Sequence, residues 1–468
     1  MPMLDLFVVI SYFVVMIIVA VAARSAKSMA DFAVGSRTIP GIIIVATLSA
    51  TYIGPGYSLG LADRAAGQGY VWYLIFLAFS VQTILVGWFV APRLSAIRNA
   101  YTLGDVMGQR YGKLVQVISG IMSVILCAGF VGAITRASGD IISALTPLPF
   151  VAAIALSISV VILYSTFGGI KTVVITDVIQ FVVLALAIPA AVFFLADLGG
   201  GAALVVQMLP ESKFEIGSHF TTAALLGLML GFLLGEALIP PYANRALMAK
   251  DQTNAKWGFV FAGVFSAFWF FVCATIGIFG ASLLPLQEGQ SVFVQSLQQV
   301  LPVGLLGLAT AGMIAIIMST QSSLLNAAAV AFSNDIVGRL ASKRVDEKKE
   351  LAYSKILTII IGIIATIIAL NAPSIVDALL ICYTLWAPTI VLPLIIAVLK
   401  KDAHPIAGLA AILAGALATA IWHWGLNNPF GAPAVVAGIV ANQIIFWIAQ
   451  FIYVGKRSNH RWLQPLTS

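Results

Sequence analysis

The chain has 468 residues, of which 61% are hydrophobic and only 9% are charged, and its mean hydropathy is +1.04. Soluble proteins are about 25% charged, so these figures exclude a water-soluble enzyme and leave an integral membrane protein. Uncharged apolar runs of roughly 20 residues are typical of membrane-spanning α-helices and not of a β-barrel. The three cysteines all fall inside apolar runs, so no disulfide framework is predicted.

About 13 apolar segments of spanning length follow one another along the chain. Asp5 precedes the first run and basic residues follow it, which is the reverse of a cleaved signal peptide, so this run is a predicted span. No soluble domain is predicted between the spans. The predicted segments cover residues 4–23, 40–62, 70–91, 114–145, 150–165, 173–197, 223–248, 257–284, 303–335, 351–370, 375–399, 405–425 and 433–454.

Basic residues are distributed very unevenly between the two sides of the predicted membrane. Of the 25 lysine and arginine residues, all but Arg64, Lys213 and Arg136 fall in one set of loops, which includes Arg245. The positive-inside rule therefore predicts an outside N-terminus and a cytoplasmic C-terminus, which requires an odd number of spans. The net charge of +7 is thus a topology signal, and nucleic acid is not a predicted partner.

Two predicted spans are interrupted by helix-breaking residues. The second contains Gly-Pro-Gly at residues 54–56, and the seventh contains Glu236 followed by two prolines at 240–241. Unwound backbone at membrane depth is tolerated where it lines a cavity, and a packed proline kink is the alternative. These interruptions therefore mark candidate binding positions.

The two interrupted spans are five segments apart. This spacing predicts an inverted repeat of five plus five helices, with a first repeat over about residues 40–197 and a second over about 223–399. Peripheral helices then cover about 4–23, 405–425 and 433–454. Binding sites in such folds lie at mid-membrane between the broken helices, so the pattern favours a secondary transporter over a channel or a membrane enzyme.

The ninth predicted span carries a dense polar stripe. Ser319, Ser322, Ser323 and Asn326 share one helix face by their i, i+3, i+4, i+7 spacing. Small hydroxyl residues also allow close helix packing, which is the structural alternative. The functional interpretation is a cation site, because hydroxyl and freed carbonyl oxygens suit a desolvated monovalent cation.

Four stretches of the chain together resemble the sodium:solute symporter family, which includes sodium/glucose, proline, pantothenate, sialic acid and choline transporters. The resemblance extends over nearly the whole chain and implies a LeuT-type five-plus-five core with one extra N-terminal helix and two C-terminal helices. It also implies sodium-coupled transport. The stretches are residues 31–37 (DFAVGSR), 50–57 (ATYIGPGY), 168–180 (GGIKTVVITDVIQ) and 319–326 (STQSSLLN), the last followed by Asn-Asp-Ile at 334–336.

The resemblance also implies where sodium binds. The main site would use the carbonyls of Ala50, Ile53 and Ile316 and the hydroxyls of Ser319 and Thr320. A second sodium site in some members matches Asp177, Ser322 and Ser323 here, together with Ser319. Asp177 lies close in sequence to the basic loops, so an acid on the cytoplasmic exit path is the equal alternative for this residue.

Charged and amide side chains within the spans are candidates for solute binding. Arg136 would bind a carboxylate, or it would pair with Asp140 one turn later. Gln82 would hydrogen-bond the solute or a neighbouring helix. Glu236 would meet an ammonium group, hold a proton or pair with Arg136, and an arginine with a glutamate would suit a zwitterion. Arg136 alone would suit a monocarboxylate.

Aromatic residues near the interruptions are candidates for cavity walls or gates, with lipid-facing positions as the alternative. The stretch 51–57 looks most like the choline branch of the family. However, Ser322 and Ile239 stand where that branch has an acid and a cage aromatic, which argues against choline. The candidate aromatic residues are Tyr52, Tyr57, Phe79, Tyr383 and Trp386.

The sequence therefore predicts a sodium-coupled symporter of a small, carboxylate-bearing organic solute, either an organic acid or an amino-acid-like zwitterion, that works by alternating access. The alternatives are a neutral or cationic solute, such as a sugar or a choline-like compound, or a membrane sensor with the same fold. The predicted partners are the solute, Na⁺ as the coupling ion and the lipid bilayer. A monomer suffices, and the predicted location is a bacterial cytoplasmic (inner) membrane.

Overall fold

A computed structural model of the protein describes residues 2–22, 26–216, 219–341, 346–371, 382, 384–400, 402–429 and 434–453. The described residues form helices and connecting turns, with one isolated β-bridge between Ile39 and Ala249. Eight of the described helices are long and apolar enough to cross a membrane, or up to ten when each of two bent helix pairs is one span. The predicted all-α membrane fold is confirmed.

The described helices overlap every predicted span. The helix Val71–Leu85 continues through a π-helical turn to Ser95, and the helix Leu305–Ala331 continues through another to Leu340. In chain order the helices are α1 Met3–Ala22, α2 Met29–Val34, α3 Gly41–Tyr52, α4 Pro55–Gln68, α5 Val71–Leu85, α6 Leu103–Tyr111, α7 Lys113–Leu145, α8 Phe150–Leu198, α9 Ala202–Met208, α10 Thr222–Gly235, α11 Pro240–Leu247, α12 Gln252–Leu283, α13 Val292–Val300, α14 Leu305–Ala331, α15 Glu347–Asn371, α16 Thr384–Leu399, α17 Pro405–Ala420 and α18 Ala434–Tyr453.

The fifth and sixth predicted spans both fall in α8, which has 49 residues. A straight helix of this length would extend about 74 Å, more than twice the thickness of the hydrocarbon core. Gly169 interrupts it with φ 59° and ψ −152°. This conformation is open almost only to glycine, and a Cβ at Gly169 would lie 2.8 Å from the Cα of Phe32 in α2.

Both predicted interruptions are broken helices in the structure. The axes of α3 and α4 differ by 55°, and those of α10 and α11 by 48°. Pro55 and Pro240 each begin the second helix of a pair, where a proline costs no hydrogen bond. Leu238 has a φ of 54°, which is uncommon for leucine and breaks the second pair. The boundaries of the inverted repeat stay a prediction.

The helix α14 lies at the centre of the molecule. In the span from Leu305 to Leu340, 83% of the apolar stretch is buried, against 28% for α15 and for α18. The helices α7 and α8 pack along α14, and α12 packs against α3, α4 and α5. The polar stripe of the ninth predicted span is therefore held inside protein, away from lipid.

The segment after α1 ties several helix ends together on the side that carries the basic loops. Asp31 in α2 accepts a hydrogen bond from the Lys171 ammonium at 2.6 Å. Lys171 and the Ser36 hydroxyl hold the pKa of Asp31 below its ordinary value. Arg37 donates to the Leu247 carbonyl at the end of α11, at 2.9 Å. The start of α3 is thereby fastened to the end of α11.

Candidate functional site

A cavity of about 60 Å³ lies between the two helix breaks. The first break contributes the Gly-Pro-Gly backbone, the second contributes an acid and a tyrosine, and α7 and α14 close the remaining sides. This is the position that the broken helices predict for a binding site. The cavity is lined by Thr51, Tyr52, Gly54, Pro55, Gly56, Tyr57, Phe130, Ile134, Glu236, Ile239, Pro241, Tyr242, Thr320 and Leu324.

The residues predicted for the main sodium site meet beside this cavity. The Ser319 hydroxyl donates to the Ala50 carbonyl at 2.8 Å and lies 3.1 Å from the Ile316 carbonyl oxygen. The Thr320 hydroxyl lies 3.0 Å from the same Ile316 oxygen. All four residues are buried. Their oxygens form an uncharged, buried cluster of the kind that suits a monovalent cation.

Ile53, the fifth predicted sodium residue, ends α3 at the break. Its carbonyl accepts a hydrogen bond from the Ser58 hydroxyl at 2.8 Å. The next residue, Gly54, is so close to α14 that a Cβ there would lie 3.5 Å from the Thr320 hydroxyl oxygen. The five predicted positions therefore lie where α3 ends beside α14, and the contacts of the structure join four of them directly.

Glu236 and a group of aromatic rings form the opposite wall of the cavity. The Tyr242 hydroxyl donates to a Glu236 carboxylate oxygen at 3.4 Å. The Tyr52 ring lies edge-on against Tyr242 and Phe79, with centroid distances of 4.3 and 4.9 Å. The ring centroids of Tyr57 and Phe79 are 4.8 Å apart. This wall combines one acid with electron-rich ring faces, an arrangement that suits a cationic group.

Gln82, Arg136 and Trp386 do not line the cavity. Gln82 donates to the Leu233 carbonyl in α10 at 2.8 Å, which is the interhelical alternative. The Arg136 guanidinium lies 5.7 Å from the Phe150 ring centroid and 3.4 Å from the Ala369 carbonyl. Trp386 is buried elsewhere and Phe79 forms a second layer behind Tyr52 and Tyr57. Tyr383 lies outside the described residues.

Arg245 is placed differently from the prediction that it belongs to a basic loop. It lies in α11 with 0% exposure, and its guanidinium contacts the Asp177 carboxylate at 2.8 Å and the Ser323 hydroxyl at 2.5 Å. Ser322 instead donates to the Ser319 carbonyl at 3.0 Å. Charge counting missed Arg245 because it treats each basic residue near a span end as solvated. Its place one turn after the prolines of α11 was the available signal.

Tyr242 is a second residue that the sequence analysis missed. It stands immediately after the two prolines, at the start of α11, and both its ring and its hydroxyl face Glu236 and Tyr52. Proline is common at the first position of a helix, so the residue after the two prolines lies in the first turn beyond the break. The motif itself was therefore the signal, because the side chain after the prolines borders the cavity.

A second cavity of about 790 Å³ adjoins the first, and Pro55 and Gly56 line both. Its other walls come from α4, the end of α7 and α13, and they include Asp63 and Asp140. These walls lie toward the loops that carry few basic residues. The large cavity is therefore a route from that side of the protein to the helix breaks.

The profile of the sodium:solute symporter family matches residues 32–415. The chain belongs to this family. The symporter is 22% identical over 432 residues to the sodium/pantothenate symporter of Escherichia coli (strain K12), covering 88% of this chain and 89% of that protein. It is therefore a membrane transporter and not an enzyme, and Na⁺ is its coupling ion.

Solved structures of transporters share the symporter's fold. One is a Na⁺-coupled sialic acid symporter in a substrate-bound outward-open state, with a TM-score of 0.85, 19% identity and coverage of 97% of this chain and 98% of that one. Another is Mhp1, a nucleobase-cation-symport-1 family transporter, with a TM-score of 0.64, 14% identity and coverage of 93% and 98%. The predicted LeuT-type fold is confirmed.

Proposed function

We propose that this symporter couples the entry of Na⁺ to the uptake of a small zwitterion of the amino-acid type. The observation that carries the proposal is that Glu236 and the start of α4 line the same cavity of about 60 Å³. An acid on one wall suits an ammonium group, and a helix N-terminus on the other suits a carboxylate. The cavity volume favours a solute of few heavy atoms.

The carboxylate of the solute would lie at the start of α4. This helix begins at Pro55, and its N-cap residue Gly54 provides no capping side chain. A Cβ at Gly56 would meet nothing within 4 Å, so the backbone there is open to the cavity. Half-helix N-termini bind anionic solute groups in transporters of this architecture. The names of two similar transporters refer to pantothenate and sialic acid, which supports an acid group.

The ammonium group of the solute would lie against Glu236. The side chain is buried beside Tyr52, Tyr57 and Tyr242. An ammonium group of the solute would form a charge-assisted contact with this carboxylate, in addition to the Tyr242 hydroxyl that already donates to it. Arg136 does not border the cavity, so it is not part of this proposal. A purely cationic solute is the second candidate, because the aromatic rings would also surround it.

Sodium and solute would share a wall, which is the basis of coupling. Thr320 belongs to the predicted sodium site and also lines the solute cavity. Sodium bound at the end of α3 would fix the break that holds the solute carboxylate. One charge crossing 100 mV gains about 2.3 kcal/mol, which would drive accumulation. We place the symporter in a bacterial inner membrane with its large cavity facing outward.

A matched set of solutes tests the proposal in proteoliposomes with an inward sodium gradient. Each matched set contains a small amino acid, its analogue without the amino group and its analogue without the carboxyl group. Alanine, propionate and ethylamine form one such set. Sodium-dependent uptake and sodium-dependent thermal stabilisation should favour the zwitterion of a set. Uptake of the acid alone would contradict the role of Glu236, and uptake of the amine alone would support the cationic candidate.

Glu236→Gln is the variant that isolates the ammonium contact. A charged hydrogen bond contributes about 1.5–3 kcal/mol, so the solute concentration for half-maximal uptake should rise at least about tenfold. Asp140→Asn is the control, because Asp140 lines only the large cavity. Equal uptake of the zwitterion by the variant and the parent protein would refute the assignment.

A further inference from the structure

A dense polar cluster surrounds Arg245 and borders the solute cavity through Thr51 alone among its members. It is built from four helices: Thr47 and Thr51 in α3, Asp177 in α8, Arg245 in α11 and Ser323 in α14. Each of these residues is at most 1% exposed. Both broken helix pairs therefore contribute to the cluster, and its charged members are one acid and one base.

The Arg245 guanidinium is the centre of this cluster. Its Nη2 atom lies 2.8 Å from Asp177 Oδ2 and 2.5 Å from Ser323 Oγ. The hydroxyl oxygens of Thr47 and Thr51 are both 3.2 Å from the same nitrogen. One positively charged atom is thus surrounded by a carboxylate oxygen and three hydroxyl oxygens, which is the oxygen environment that a bound metal cation requires.

We infer that Arg245 is a built-in cation that occupies the position of a second sodium ion, so that this symporter binds one sodium per chain. Asp177 and Ser323, two of the residues predicted for a second sodium, already contact the guanidinium. Their single negative charge is neutralised by Arg245. A sodium ion added here would leave a net positive charge buried among hydroxyl groups, which is strongly unfavourable.

The unpaired oxygen of Asp177 sharpens this inference. Oδ2 accepts hydrogen bonds from Arg245 and from the Thr47 hydroxyl, whereas Oδ1 is buried and accepts none within the described residues. If Arg245 were replaced by an uncharged residue, an ionised Asp177 would be left buried in a cluster of hydroxyl groups without a counter-charge. A variant without the Arg245 guanidinium should therefore gain a second sodium site.

Direct counting of bound sodium tests the inference without any solute. A negative result therefore bears on the sodium sites and leaves the proposed solute class untouched. Purified full-length symporter is titrated with radioactive sodium against a constant total of sodium plus potassium. We expect one sodium per chain in the parent protein and two in Arg245→Gln. The double variant Asp177→Asn/Arg245→Gln has no charge in the cluster and should return to one.

Two results would overturn the inference. One is a parent protein with two bound sodium ions, of which one is lost in the double variant. The other is a folded Arg245→Gln variant that still binds a single sodium. If Arg245→Gln does not fold, the parent protein and the neutral double variant still decide: equal counts of one support the inference, and a count higher in the parent refutes it. Ser319→Ala/Thr320→Ala should abolish the remaining sodium in each background.

Discussion

The hydroxyls of Ser319 and Thr320 are held in position by carbonyl oxygens of their own helix and of α3. Ser319 reaches the Ala50 carbonyl, and both hydroxyls lie close to the Ile316 carbonyl. Their oxygen lone pairs are therefore preorganised, and an ion that enters does not have to order two side chains. Preorganisation of this kind raises affinity for a weakly bound monovalent cation.

Removing either hydroxyl should weaken sodium binding. Ser319→Ala and Thr320→Ala each delete one proposed oxygen ligand to a positive charge, which corresponds to about 1.5–3 kcal/mol, or roughly 10- to 100-fold. We expect the sodium concentration for half-maximal uptake to rise by that factor in proteoliposomes. Thr358→Ala is the control, because this hydroxyl bonds only the Ser354 carbonyl within α15. An unchanged sodium requirement in both variants would remove these residues from the site.

At the scale of elements, the two breaks and the turn inside α8 place the site. Each break exposes backbone that a continuous helix would satisfy internally, and the surrounding helices α7, α12 and α14 keep lipid away from it. The turn at Gly169 returns the second half of α8 to α3, which positions Asp177 beside Thr47. The chain needs glycine there for both its φ angle and its contact with Phe32.

Gly169→Ala should destabilise the symporter. The residue has φ 59°, and its added Cβ would overlap the Phe32 backbone, so strain of about 1–3 kcal/mol or more is expected. We expect a lower midpoint of thermal unfolding in detergent. Gly227→Ala in α10 is the matched control, because its Cβ meets nothing within 4 Å, and it should unfold at or above the parent temperature. Equal loss in both variants would contradict the role of the turn.

How much of the molecule the sequence predicts depends on the range of the interaction. Helix breaks are local, so the Gly-Pro-Gly and Pro-Pro motifs identified both of them. The partners of Gln82, Arg136 and Arg245 depend on tertiary packing. Asp177 and Arg245 are 68 residues apart and meet because two different helices bring them together. Spacing rules within one helix cannot predict a contact between two helices. Counting charges near span ends therefore places Arg245 in a loop.

At the scale of the whole molecule, the cavity that reaches the helix breaks lies on one side, and ion pairs and hydrogen bonds join the helix ends on the other. The large cavity reaches the helix breaks from the side with few basic residues. On the opposite side, Arg245 pairs with Asp177, and Arg339 pairs with Asp105 at 3.2 Å. Arg37 fastens the start of α3 to the end of α11. If the basic side is cytoplasmic, as the positive-inside rule predicts, these contacts and the wide cavity correspond to an outward-facing arrangement.

Cysteine labelling in intact cells tests both this arrangement and the proposed orientation. The native cysteines Cys127, Cys273 and Cys382 are buried, so their background reaction with a membrane-impermeant maleimide should be low. Asp140→Cys lies in the large cavity and should be labelled from outside in sodium. Asn99→Cys, exposed on the basic side, should be labelled only after permeabilisation.

Solute should change the labelling of only one of these two positions. If the large cavity closes when sodium and solute are both bound, labelling of Asp140→Cys should slow in their presence and not with either one alone. Labelling of Asn99→Cys from outside, with Asp140→Cys protected until permeabilisation, would reverse the proposed orientation. Asp140→Cys labelling that no solute slows, in a variant that still transports, would show that this cavity stays open through the cycle and would contradict alternating access at this face.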